Sequence, residues 1–224
     1  MSSQFESLLN LRCYPPHMIN FQIGDIPVQV QPWFFLTALL IGPHDLAGMV
    51  LWVPVVFGGV LAHELGHAWS IKRLGLSPAI QLFGFGGLTS WRGGDHVTPM
   101  QRALVSFAGP AVGLTIGAAA LAFSNMFHPT NLVVTQLLRY TVWVNLGWGL
   151  LNLLPILPLD GGNIATSFAE MAFGPAGRRT ARILSIAACV VLGLVALRYG
   201  WLWSAIIAAV LAFSNVQALK ASPR

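Results

Sequence analysis

Residues 58–70 read GGVLAHELGHAWS, and the spacing of His63 and His67 within that apolar stretch is the feature from which the rest of the chain is read. On a helix, positions i and i+4 share a face. Both imidazoles can therefore bind one metal ion, while Glu64 stands close enough to activate a water. Apart from histidine, residues 46–63 are uncharged, so the motif belongs to a membrane-spanning helix. An ionisable side chain at mid-membrane costs about 3 kcal/mol, and three within five positions need a compensating role. Metal coordination supplies one; polar packing against neighbouring spans is the bland alternative. Counting along the helix from His63 to Lys72 puts the pair about 14 Å below one helix end, within reach of a water-filled cavity.

Outward from this helix, the whole chain has the same character. Its 224 residues are 55% hydrophobic and 8% charged, with mean hydropathy +0.69, whereas a soluble protein has about a quarter of its residues charged. Disorder, nucleic-acid binding and a soluble enzyme with a single apolar core are excluded. Further uncharged runs at 26–43, 103–138, 140–159, 183–197 and 199–219 mark the other spans. Spans are expected at about 32–43, 49–74, 100–123, 132–157, 180–198 and 201–219. Residues 1–224 then form a single transmembrane domain, an all-α polytopic membrane protein with about six helices, preceded by a short strand or interfacial piece at 21–30. Cys13 and Cys189 lie in unrelated surroundings, which argues against a disulfide framework. No cleavable signal peptide is apparent in the first 20 residues.

The net charge of +5 reports topology. Arg12, Lys72, Arg73, Arg92, Arg102, Arg178, Arg179, Arg182, Lys220 and Arg224 fall on the side of the amino terminus in this parse; Arg139 and Arg198 lie toward the other. Both termini are expected in the cytoplasm, with the metal site nearer that face. Arg139 should snorkel.

Two histidines leave a metal needing a third ligand and an open position. Asp25, Asp45 and Asp95 sit in connections, whereas Asp160 ends the fourth span in NLLPILPLDGG, residues 152–162. Prolines unwind the helix there and Gly161 and Gly162 permit a tight turn, so the carboxylate can point back into the bundle. A helix-end aspartate at the interface is the alternative.

HELGH at 63–67, followed by N-x-x-P-x-x-P-x-D-G-G at 152–162, resembles the site-2 protease family of intramembrane zinc metalloproteases. That resemblance implies a core of three helices bearing one Zn2+ on His63, His67 and Asp160, with Glu64 as catalytic base. It also implies that Asn152 lies beside the metal and contacts substrate or the oxyanion; on its own, Asn152 reads equally well as a helix-packing amide. AGPAVG at 108–113 resembles the family's G-P-x-x-N segment, with Gly113 where asparagine is usual. Lacking a PDZ-like or nucleotide-binding regulatory domain, the chain resembles a minimal six-span form of a prokaryotic cell membrane.

Between the second and third spans, SPAIQLFGFGGLTSW at 77–91 is apolar and rich in glycine where a loop would be polar. Residues 79–91 can form a short membrane-associated β-hairpin or re-entrant loop. Its edge at Leu82, Phe83, Gly84, Phe85, Gly86 and Gly87 would pair with an extended substrate by β-augmentation; a loop that caps the bundle is the alternative. The expected activity is hydrolysis of peptide bonds within or near transmembrane segments, in regulated intramembrane proteolysis. Its partners are a transmembrane protein substrate and the lipid bilayer, with no nucleic acid. A metal-dependent transporter or sensor using the same His/His/Asp site is the competing reading, against which stands Glu64 beside a ligand.

Overall fold

The computed structural model describes residues 18–84 and 86–221; Arg12, Cys13, Phe85 and Arg224 of the expectations above lie outside them. The chain divides into two units, one running up to His96 with Ala108–Leu150, the other made of Val97–Phe107 with the residues from Leu151 onward.

In the first unit, β1 (Ile19–Ile23) and β2 (Ile26–Val30) form a hairpin around Gly24, whose φ of 63° suits glycine. Next come α1 (Pro32–Ile41) and α2 (Leu46–Arg73), then β3 (Ser77–Phe83) and β4 (Gly86–Arg92). The strands make one sheet in the order β1-β2-β3-β4, with β2 and β3 parallel and the other pairs antiparallel. Parallel strands need a long crossover, and α1 with α2 provides it. In the β2–β3 register Val28 faces Ile80 and Val30 faces Leu82. Alternation along each strand puts these four on one sheet face, where they join Phe34, Trp52, Val56 and Val60 in the apolar core.

Local chemistry explains the limits of α2. Asp45 caps its first turn, accepting the Gly48 N–H at 2.7 Å. Lys72 and Arg73 occupy its last turn, where cations favour the helix dipole. Lys72 also pairs with Asp25 in the β1–β2 turn, and its hydrogen bond holds that carboxyl below the ordinary aspartate range.

The architecture departs from the all-α expectation. The expected hairpin is present as β3 and β4, but it belongs to a four-stranded sheet, because the 21–30 segment supplies two strands rather than one. The expected span at 32–43 is a helix of 10 residues, about 15 Å long against the roughly 30 Å of a bilayer core. After α3 (Pro99–Phe127), the expected 132–157 span is built of α4 (Leu132–Val142), a π-helical turn at Trp143–Gly147 and α5 (Trp148–Asn152). It stops before Pro155 because neither proline of the following segment can donate into a helix.

In the second unit, α6 (Asp160–Phe173) leads through a turn at Gly174–Ala176 into α7 (Gly177–Arg198), and α8 (Leu202–Ala221) packs back along α7. The irregular segment before α6 is pinned from both sides. Leu157 N–H donates to Ser185 Oγ at 2.8 Å, and Asn215 Nδ2 donates to the Leu157 carbonyl at 2.8 Å. Glu170 on α6 pairs with both Arg102 and Arg178. Among the described residues, four helical stretches are long and apolar enough to cross a membrane: Leu46–Arg73, Pro99–Phe127, Asp160–Arg198 and Leu202–Ala221. The protein is an integral membrane protein.

Candidate metal centre

The centre is built on α2, where one helical face presents two imidazoles a turn apart. His63 and His67 are buried, and their Nε2 atoms lie 3.2 Å from each other with ring planes at 79°. Two nitrogens bonded to one tetrahedral zinc at about 2.05 Å would stand about 3.3 Å apart, so the pair already has the spacing of a shared ion. Close approach by α3 depends on two glycines. A Cβ on Gly66 would meet the Ala108 carbonyl at 2.6 Å, and one on Gly109 would overlap the His67 ring and meet His63 Nε2 at 2.8 Å. The Gly109-Pro110 pair is thus where α3 comes up against the imidazoles. Gly113 is more open, its nearest neighbour being the Asn145 carbonyl at 3.5 Å.

Glu64 is buried under β4. Thr89 Oγ1 donates to Glu64 Oε2 at 2.7 Å and also reaches the Glu64 carbonyl at 3.2 Å. Two residues earlier on the same strand face, a Cβ at Gly87 would overlap the Glu64 carboxyl. Glycine at 87 and threonine at 89 therefore let the strand cover the glutamate and hold one of its oxygens.

The segment expected to pair with substrate is divided by this arrangement. Leu82 is fully buried and belongs to a strand paired on both sides, with Val30 and with Gly87; its carbonyl also accepts the Gln31 N–H. Phe83 pairs with Gly86 at the hairpin end. Placing the open edge at Leu82 and Phe83 is therefore corrected: β3 is an inner strand, and the outer strand on this side is β4, from Gly86 to Arg92. Gly84 is part of the connecting turn.

Asp160 stands in the first turn of α6, where a carboxylate also favours the helix dipole. Gly161 and Gly162 lie against the backbone of Leu153 and Ile156, so the tight turn read from the two glycines is present. His63 and His67 make up a donor group to which a metal ion could bind, and Asp160 belongs to the other unit. His44, His96 and His128 stand outside that group. Asn152 is the last residue of α5 and half-buried. Thr89, Ser185 and Asn215 were not singled out from the sequence. The last two carried a signal, being polar groups in apolar spans; Thr89 in a strand carried none.

Residues 125–196 match peptidase family M50. The match covers about a third of the chain. Rip3 of Mycobacterium tuberculosis is 36% identical over 148 residues, covering 62% of this chain and 37% of that protein. The zinc metalloprotease MJ0392 of Methanocaldococcus jannaschii is 30% identical over 159 residues, covering 69% of this chain and 46% of that protein. The chain spans less than half the length of these curated relatives. Among solved structures, the site-2 protease from Methanocaldococcus jannaschii shares the fold. It superposes with a TM-score of 0.60 at 21% identity, covering 92% of this chain and 97% of that one. The matched M50 segment includes Asp160 and lies downstream of the histidine pair.

Proposed function

We propose that the protein is a zinc metalloprotease that hydrolyses peptide bonds within or near the transmembrane segments of membrane-protein substrates. The reading is supported most by one observation, the His63 and His67 Nε2 atoms 3.2 Å apart on the helix that also carries the buried Glu64; Asp160 is the third ligand in this reading. Two imidazoles and a carboxylate are a zinc donor set that leaves a fourth position open, and the relative MJ0392 bears the name zinc metalloprotease.

Zinc held there supplies Lewis-acid polarisation of the scissile carbonyl and a water of lowered pKa. Glu64 takes the proton of the attacking water and returns it to the leaving amine. Thr89 keeps one carboxylate oxygen occupied, so the other is directed to the proton. Asn152 offers its amide N–H to the developing oxyanion. The substrate arrives locally unwound and pairs with the outer edge of β4, because a helical segment hides its amides. Gly86, with open space where a Cβ would stand, leaves room at the start of that edge for its backbone. Both termini face the cytoplasm of a prokaryotic cell, on the basic-residue count. A transit site in a transporter or sensor has no use for Glu64 beside a ligand.

Quantitative proteomics of membrane fragments, comparing wild type with Glu64→Gln in the native host, tests the activity. Fragments dependent on wild type are expected, and Glu64→Gln should cleave below a few per cent while retaining near-stoichiometric zinc. Identical fragment patterns would overturn the assignment. Asp160→Ala should lose zinc as well as cleavage; full, tight zinc in that variant would remove Asp160 from the ligand set.

A further inference from the structure

A cavity of about 450 Å³ opens beside the amino-terminal half of α2, walled by Gly42, Pro43, Trp52, Arg139, Tyr140 and Trp143. Trp52 precedes His63 by eleven residues, which places this pocket about 16 Å along α2 from the metal donors. Arg139 is the sole formally charged residue from Ala103 to Leu159. Among the described residues Lys72 pairs with Asp25, and Glu170 with Arg102 and Arg178, while Arg139 takes part in no ion pair. A guanidinium on an apolar helix requires an anion or an exit to water.

The walls are suited to one kind of anion. Trp52 is fixed, donating its indole N–H to the Ala38 carbonyl at 2.9 Å and meeting Tyr140 edge-on at 5.2 Å. Trp143 is 69% exposed at the start of the π-helical turn. Tryptophan and tyrosine gather at the level of lipid headgroups, and the planar guanidinium fork matches two phosphate oxygens.

We propose that this pocket binds one membrane phospholipid, with Arg139 holding its phosphodiester and Trp52, Tyr140 and Trp143 enclosing the glycerol and first acyl carbons. The volume falls in the range of about 300–1,000 Å³ that small-ligand pockets occupy, enough for a headgroup and not for whole acyl chains. The aromatic wall favours a lipid over a free anion, which would leave it uncovered.

Native mass spectrometry of the purified full chain in detergent, titrated with dioleoyl phosphatidylglycerol, tests the site. Wild type should retain one such lipid that dioleoylglycerol, with the same tails and no phosphate, does not replace. Arg139→Gln should hold it about tenfold less tightly, the loss of one charge-assisted contact. Arg139→Lys should keep part of the affinity, and Arg179→Gln, at a different basic cluster, all of it. Equal retention by wild type and Arg139→Gln overturns the proposal. Release of the lipid by millimolar inorganic phosphate overturns it in favour of a free-anion site; a dimer in wild type that Arg139→Gln dissolves overturns it in favour of a second copy. If Arg139→Gln does not fold, Trp143→Ala decides: weaker phosphatidylglycerol retention supports the pocket, and unchanged retention refutes it.

Discussion

Glu64 is the residue whose neighbours say most about its task. Thr89 donates to one of its oxygens at 2.7 Å, and Gly87 lets the strand lie against its carboxyl. Thr89→Val removes that donor with little change of shape, so zinc content should be unchanged while cleavage falls about tenfold, the scale of one hydrogen bond to a charged group. Thr89→Ser should restore most of the rate; equal rates for Val and wild type would reduce Thr89 to packing. Gly109 makes a sharper case, since a Cβ there would overlap the His67 ring. Gly109→Val should abolish zinc binding measured by metal analysis, whereas Gly113→Asn should retain it, having no neighbour within 3.4 Å of its Cβ. The first imidazole–carboxylate–imidazole series was legible because helical periodicity brings i and i+4 together locally. Thr89 was not, because it lies 25 residues away in sequence and only strand packing brings it to Glu64.

Among the elements, β3 and β4 differ in kind although both come from the same glycine-rich stretch. β3 is paired on both sides and Leu82 lies on its buried face. Proline at Leu82 cannot donate to the ladder of an inner strand and should therefore destabilise the fold, seen as a large fall in the thermal midpoint of the detergent-solubilised protein. Leu88, on the outer strand, is 53% exposed. Lysine at an outer strand discourages pairing, so Leu88→Lys should fold and keep its zinc yet cleave substrate poorly; full cleavage would place the substrate elsewhere. The hairpin was readable from apolar sequence flanking glycines. Which of its strands is outermost was not, because that depends on β2 pairing with β3 from about fifty residues upstream.

For the whole molecule, ten of twelve Lys and Arg fall on the side of the termini in the sequence parse, a bias that sets orientation. In a background lacking Cys13 and Cys189, cysteine at Asn125 should react with an impermeant thiol reagent outside intact cells, and cysteine at Ala176 should not; the reverse pattern would invert the protein. Membrane residence, the helix bearing His63, Glu64 and His67, and Asp160 as a further acid beyond two prolines were all determined by sequence alone. Each rests on composition or on spacing within a single element, and such signals are local. The tertiary structure decided the rest: a sheet of four strands where one hairpin was expected, and the pinning of the segment before Asp160 by Ser185 and Asn215. Strand pairing and buried polar contacts join residues far apart in the chain, and the free energy of such a contact depends on a partner that local periodicity cannot name.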